Sequence, residues 1–363
     1  MARALALAAR GDYRVGRNPR VGAVLVREGR VLAEGFHAES GGPHAEAACF
    51  AALPEGASAA GGTLYVTLEP CGPFPGKRTP PCVEAVLSHQ LARVVVASAD
   101  PHPAMGGESL RRLREAGVEL RVGVLEAAAR RLNGPFFKAQ RGVGLPYLTA
   151  KWAMSLDGKI ACRTGHSQWI SGEAAREEVH RLRGEVDAIA VGIGTALADD
   201  PRLTRRGVPG GDPLRIVCDS RARLPLTSKL VQSAGETPLL VAVREDAPAA
   251  RCAALRAAGA EVLACPPAGD HLDVAALLAA LGARDLRQVL VEGGGGLLAS
   301  LFAAGLVDRV QCYLAGRILG GASAPTPVAG AGVERVELGA RAVHLESRPV
   351  GEDVLIEAFL RAY

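Results

Sequence analysis

Thr63-Leu64-Tyr65-Val66-Thr67-Leu68-Glu69-Pro70-Cys71 is an apolar, β-rich run that stops at a proline and a thiol. Such a run, bounded by turn residues, reads as a buried strand over residues 63–68. A second thiol follows in Thr79-Pro80-Pro81-Cys82. Residues 81–90 read as a helix, and the prolines fit its first turn, where no N–H is needed. One strand thus delivers two cysteines to the same end of a sheet. Upstream, His44-Ala45-Glu46 opens an Ala-rich helix over residues 44–53, again after a strand. Thiols at helix starts meet exposed N–H groups and the positive end of the helix dipole, which favour thiolate.

His44, Cys71 and Cys82 form a donor set for zinc with three protein ligands, which leaves one tetrahedral position open, as catalytic sites do. A structural zinc module is the rival reading, but it fills all four positions, and only three donors are evident here. Glu46, two residues beyond the histidine, fits beside the open position as a proton carrier rather than a ligand. Zinc there lowers the pKa of a bound water and supplies hydroxide at neutral pH. The H-x-E and P-C parts match the zinc deaminase pattern H-x-E…P-C-x-x-C, but the second cysteine comes later than that pattern has it.

Working outward, 363 residues exceed one ordinary domain. A hydrophobic share of 48% against 22% charged describes a folded globular chain. No apolar run approaches the ~18 residues of a membrane span. Arg10, Asp12 and Arg14 interrupt the N-terminal apolar run, so a helix over residues 2–10 and a cytoplasmic location are expected rather than a signal peptide. A net charge of +4 without a dense basic block argues against nucleic acid and suits an anionic small substrate. The other six of the eight cysteines sit in apolar segments and read as core residues of a reduced protein.

The first part alternates strands and helices. A hairpin spans 21–26 and 31–36, strands 93–97 and 118–123, and helices 108–116 and 125–138. A boundary is expected near residue 143, in Gln140-Arg141-Gly142-Val143-Gly144-Leu145-Pro146. Beyond it, strands are expected at 146–154, 187–192, 214–219, 239–243, 261–264, 288–292, 309–315 and 353–360. A helix over 172–183 is to be capped by Ser171. The fold class is therefore α/β, in two domains.

The second part carries its own candidates. Gly293-Gly294-Gly295-Gly296 lies between a strand and a helix, where bare N–H groups can cradle a phosphate, or simply form a tight turn. Glu292 stands at its mouth. Asp219-Ser220-Arg221 and Arg223 end another strand; an acid there favours NAD and an arginine NADP. Trp169 reads either as a cofactor contact or as core. Residues 195–201 read as a loop, followed by Arg205-Arg206, a candidate phosphate clamp or a solvated basic turn.

Taken together, Asn18-Pro-x-Val-Gly22, His44-Ala-Glu46, Glu69-Pro-Cys71, Thr79-Pro-Pro-Cys82, Ser155-Leu-Asp-Gly158, Ser167-Gln-Trp-Ile170, Leu197-Ala-Asp-Asp-Pro201 and Val291-Glu-Gly-Gly294 resemble the bifunctional riboflavin-biosynthesis deaminase–reductase family, in order and along nearly the whole chain. The resemblance implies a cytidine-deaminase-like three-layer domain over residues 1–143 and a dihydrofolate-reductase-like domain over 144–363. It implies Zn2+ and NADPH, and a homo-oligomer acting on small molecules. It implies removal of the 2-amino group of 2,5-diamino-6-ribosylamino-4(3H)-pyrimidinone 5′-phosphate, then reduction of the ribosyl group to a ribityl chain.

Carried over, His44, Cys71 and Cys82 bind zinc, Glu46 moves protons and Asn18 contacts substrate. Ala153, Trp169, Thr195, Asp199, Ser220, Gly294, Gly295, Gly296, Leu297, Leu298, Ala299 and Ser300 match cofactor positions. Ser167, Arg183, Leu203, Arg206 and Glu292 match substrate positions, and Lys151 is a candidate near the sugar. The turn 72–78 departs from the family by being longer and lacking histidine, and Lys77 and Arg78 are offered as phosphate contacts in its place. That departure keeps an inactive deaminase half open as an alternative; a zinc deaminase acting on nucleic acid, which shares the zinc triad but predicts a basic face and no dinucleotide domain, is the other.

Overall fold

Two large sheets and one two-stranded hairpin arise from this alternation in the computed structural model, which describes residues 1–73, 79–103, 105–207 and 211–363. Lys77 and Arg78 lie outside the described residues. The chain divides into Met1–Val143 with Ala362–Tyr363, and Gly144–Arg361. Among the described residues no helix is long and apolar enough to cross a membrane.

The first unit runs α1 (Ala2–Ala8), β1 (Gly22–Arg27), β2 (Arg30–Phe36), α2 (Ala45–Ala51), β3 (Thr63–Leu68), α3 (Cys82–Ser88), β4 (Arg93–Ser98), α4 (Glu108–Glu115), β5 (Glu119–Val122), α5 (Glu126–Leu132) and α6 (Gly134–Gln140). Its five strands are ordered β2-β1-β3-β4-β5. The β1–β2 and β1–β3 pairs are antiparallel; β3, β4 and β5 are parallel. Side chains alternate across β1, so Val24 joins Ala4 and Leu7 of α1, while Ala23 and Leu25 join Ala45 and Cys49 of α2. Helices therefore cover both faces, giving three layers. At Gly35 the layers almost touch, because a Cβ there would lie 2.3 Å from the Cys49 nitrogen and 2.6 Å from the Ala45 oxygen. A bare backbone on β2 is what lets α2 sit flat on the sheet.

The single helix expected over 125–138 is two. Pro135 lies in the first turn of α6 and offers no N–H to continue the helix before it. Asn133, at the break, receives the Arg20 N–H at 2.7 Å and donates to the Arg20 carbonyl at 2.9 Å. The break thereby anchors the loop that carries Asn18. Pro81 is the N-cap of α3 rather than part of its first turn.

The second unit contains β6 (Tyr147–Ser155), α7 (Glu173–Glu185), β7 (Ala188–Gly192), α8 (Ile193–Asp199), β8 (Leu214–Cys218), α9 (Lys229–Gln232), β9 (Leu239–Arg244), α10 (Ala249–Ala257), β10 (Glu261–Cys265), the small hairpin β11 (Pro267–Ala268) and β12 (His271–Leu272), α11 (Val274–Ala283), β13 (Gln288–Glu292), α12 (Gly295–Ala303), β14 (Arg309–Ala315), β15 (His344–Val350) and β16 (Asp353–Phe359). The nine-stranded sheet is ordered β10-β9-β8-β7-β13-β6-β14-β16-β15. It is parallel except for the β14–β16 and β15–β16 pairs. Its central strands are buried on both sides, as parallel strands under helices must be.

Three expectations change here. Residues 193–199 form a helix, not a loop, because Ile193 and Ala196, one turn apart, bury against the sheet. Asp200, with φ +39°, and Pro201 then end it. Gly172 caps α7 instead of Ser171, whose carbonyl accepts from Arg176 Nη1 at 2.7 Å. β15 was not expected; it is an exposed edge strand with charges and a proline, which erase the alternation that marks a strand.

Candidate active sites

In the first unit, His44 is the N-cap of α2, Glu46 lies in the first turn of that helix, Cys71 follows β3 and Cys82 opens α3. Their ligand atoms converge: one nitrogen and two sulfurs lie within 4.8 Å of one another. His44 Nδ1 is 3.3 Å from Cys71 Sγ and 3.4 Å from Cys82 Sγ. The other ring nitrogen, Nε2, is 3.3 Å from Thr79 Oγ1. A hydroxyl on Nε2 holds the ring with Nδ1 toward the sulfurs, the outer support that metal-ligating histidines use. Contact with Cys71, then burial, pushes the Cys82 thiol up. Two would-be thiolates packed together are disfavoured without a cation between them, so these donors fit zinc.

Glu46 is 3% exposed. Burial first, and then the charge of Cys71, push its carboxyl up to about 7. A carboxyl so placed gains and loses protons near neutrality. His37, unnoticed in the sequence, is buried behind Asn18. Its Nδ1 is 2.9 Å from the Pro43 carbonyl, to which it must donate, so Nε2 accepts from Asn18 Nδ2 at 3.1 Å. That bond commits the amide nitrogen of Asn18. Glu69 Oε2 accepts the Asp100 N–H at 3.2 Å, which makes Glu69 a brace of the Pro70-Cys71 turn.

In the second unit a cavity of about 510 Å³ opens where β6, β7 and β13 approach α7 and α8. Lys151, Ala153, Ser167, Trp169, Arg183, Thr195, Asp199, Leu203, Arg206, Glu292 and Gly294 all line it. Ser220 is not among the lining residues; its hydroxyl accepts the Leu272 N–H at 3.1 Å. Leu298 is buried in the core, so it can offer a ligand only backbone. Gly295 and Gly296 already belong to α12, with Leu297, Ala299 and Ser300 following in the same helix. Gly293 and Gly294 take φ +86° and +93°. A Cβ on Gly294 would stand 3.0 Å from the Gly192 nitrogen, so the strand ends approach as bare backbone. The cavity and this cradle at the start of α12 fit a nucleotide phosphate.

Trp169 is 58% exposed, with the Arg176 guanidinium 4.8 Å from its ring, so it is not core. Asp219 is fully buried and accepts the Leu224 N–H at 2.8 Å. It caps a turn and is not displayed to a ribose. Glu292 and Arg183 form a two-pronged pair, Nε to Oε1 at 2.5 Å and Nη2 to Oε2 at 2.9 Å. Arg183 Nη1 donates to the Thr204 carbonyl at 3.0 Å. Burial pushes Glu292 up, but Arg183 and Lys151 outweigh it and hold the carboxyl below its ordinary range. Lys151, beside Glu292 in register, is lowered by burial. Asp199 is raised by burial and accepts from Ser167. His180 and Lys229 also line the cavity and were not foreseen. The segment after α8 holds Asp200, Leu203 and Arg206 at φ +39°, +53° and +49°. The fully buried Arg215 grips its Arg202 carbonyl at 3.4 Å.

Residues 1–98 match the family model described as the cytidine and deoxycytidylate deaminase zinc-binding region, and residues 146–356 match the RibD C-terminal domain. A riboflavin biosynthesis protein RibD of Actinobacillus pleuropneumoniae is 39% identical over 98% of this chain and 93% of its own. That of Aquifex aeolicus is 37% identical over 99% and 97%. The chain belongs to the RibD family. Solved RibD structures agree: Acinetobacter baumannii RibD, form 1, aligns with a TM-score of 0.75 at 34% identity, covering 99% of this chain and 97% of that one. A Thermotoga maritima diaminohydroxyphosphoribosylaminopyrimidine deaminase/5-amino-6-(5-phosphoribosylamino)uracil reductase aligns at 0.77 and 32%, with the same coverage. Like other RibD proteins, the chain is a bifunctional deaminase and reductase of riboflavin biosynthesis, with zinc for the deaminase and NADPH for the reductase.

Proposed function

We propose that residues 1–143 deaminate the pyrimidine of 2,5-diamino-6-ribosylamino-4(3H)-pyrimidinone 5′-phosphate and that residues 144–363 reduce the sugar of the product. His44, Cys71 and Cys82 hold zinc, which when bound supplies the Lewis acidity that ionises water at neutral pH. Glu46 passes one proton of the attacking water to a ring nitrogen and the second, from the hydroxyl added to the carbon, to the amine that leaves as ammonia. Asn18, its amide nitrogen held by His37, presents its oxygen to the substrate's amine or ring N–H.

In the second domain NADPH supplies hydride, and Gly294 with the start of α12 cradles its phosphates. Trp169, Thr195 and Asp199 flank the cofactor. Lys151, its proton loosened by burial, gives that proton to the sugar ring oxygen as the ring opens at C1. Glu292 keeps Lys151 charged and locks Arg183, so Arg206, exposed at the cavity rim, is the principal phosphate contact and Arg183 a support. A cytoplasmic homo-oligomer that binds no nucleic acid is part of this reading, in keeping with the modest charge of +4.

The observation that carries it is the convergence of His44, Cys71 and Cys82 with a buried Glu46. Purified protein given the diaminopyrimidine phosphate should release ammonia with or without NADPH and oxidise NADPH only after ammonia appears. Release of ammonia that requires NADPH would overturn the order of the two steps. Unchanged ammonia release by Glu46→Ala would remove Glu46 from its role.

A further inference from the structure

His180 lines the reductase cavity from the middle of α7, one turn before Arg183 and one turn after Arg176. Its Nδ1 is buried and has no hydrogen-bond partner among the described residues. A buried ring nitrogen without a protein partner costs free energy unless water or a bound ligand satisfies it. The charges acting on the ring come from each element around it. Arg183 stands on its own helix, Arg206 on the segment after α8, Lys151 on β6 and Glu292 on β13. Burial is the first cause that lowers the ring's hold on a proton, and three of these four groups are cations that add to it, so without an anion beside it the imidazole is held neutral. The mechanism above leaves this group unused.

We propose that His180 is a further substrate-binding residue of the reductase, one that takes up a proton as the substrate's phosphate enters beside Arg206. The proposal rests on the phosphate reading given above. A phosphate monoester brings up to two negative charges into a surround that otherwise repels a proton. The local field then reverses sign, and both ring nitrogens become donors, one of them toward the anion. Binding and protonation are thereby linked. Affinity for the anion falls as pH rises through the value His180 has in the complex, because without the anion the ring is already neutral there.

The test is calorimetry of the full-length protein with ribose 5-phosphate at pH 7, in buffers of different ionisation enthalpy, which counts protons taken up. Sulfate, which does not titrate in this range, is the second probe. Wild type is expected to take up a fraction of a proton with either anion. His180→Asn and His180→Gln, melting like wild type, should bind about tenfold more weakly and lose that uptake with sulfate. Equal affinity and equal uptake in either well-folded variant would sink the proposal. Arg206→Ala separates the two layers of the argument. If it weakens ribose 5-phosphate and the His180 variants do not, only the role of His180 fails. If Arg206→Ala binds as wild type does, the phosphate reading fails and takes this proposal with it.

Discussion

At the scale of single residues, the deaminase site depends on which ring nitrogen of His44 faces the sulfurs. The Thr79 hydroxyl beside Nε2 holds that orientation. Thr79→Val keeps the shape and removes the hydroxyl, so it should weaken zinc binding by roughly tenfold to a hundredfold. Competition with a chromogenic chelator measures this directly, and unchanged affinity would show that the ring is held by something else. In the reductase, Glu292 is the buried partner of Arg183. Its folded pKa lies below the ordinary carboxylate value of about 4.3. The stability it contributes is therefore complete above that pH and is lost as pH falls through the folded value. Glu292→Gln leaves a buried guanidinium without its counter-charge, a loss of about 3–5 kcal/mol near neutrality. Melting curves of wild type and variant should be well separated at pH 7 and draw together below pH ~4. Curves that stay equally far apart at low pH would mean the carboxylate's charge is not what stabilises.

At the scale of elements, the decisive contact is a bare backbone. β2 meets α2 at Gly35, with the Cys49 nitrogen only 2.3 Å from where a Cβ would lie. Gly35→Ala must push α2 off the sheet, and His44 and Glu46 ride on that helix. Zinc content after dialysis should fall with the melting temperature, whereas a surface change such as Glu28→Ala should alter neither. A full complement of zinc in Gly35→Ala would show that the helix has room to give. The sequence announces such elements unevenly. Strands 63–68 and 288–292 appear where they were expected, because a buried β-branched run has few other uses. The helix Ile193–Asp199 was hidden by its polar C-terminal end, and only its buried Ile193 and Ala196 reveal it. β15 was hidden because solvent, not the core, faces most of its side chains. The metal donors were legible as residue types at suggestive places. Thr79, His37 and His180 were not read as site residues, since their roles rest on contacts with residues 19 or more positions away or on the lining of a cavity that no spacing encodes.

At the scale of the whole molecule, the two chemistries draw on different residues: His44, Glu46, Cys71 and Cys82 for one, Lys151, Arg183, Arg206 and Glu292 for the other. The first set needs a metal, because the buried Cys82 thiol packed against Cys71 and an imidazole is poorly placed without one. The second set contains no thiol and carries its own counter-charges in the Arg183–Glu292 pair. Removing the metal should therefore abolish one activity and spare the other. Protein stripped with a chelator at neutral pH should release no ammonia from the diaminopyrimidine, yet oxidise NADPH at an unchanged rate when given the deaminated substrate. Added zinc should restore ammonia release. Arg206→Ala should do the reverse, with ammonia release intact and the reductase KM for the deaminated substrate raised about tenfold or more, the loss expected for a charge-assisted phosphate contact. The outcome that would defeat this division is a stripped protein that also fails to reduce the deaminated substrate while keeping its melting temperature. The metal would then serve both reactions, and the assignment of Lys151 and Glu292 as a self-sufficient proton-handling pair would have to be abandoned.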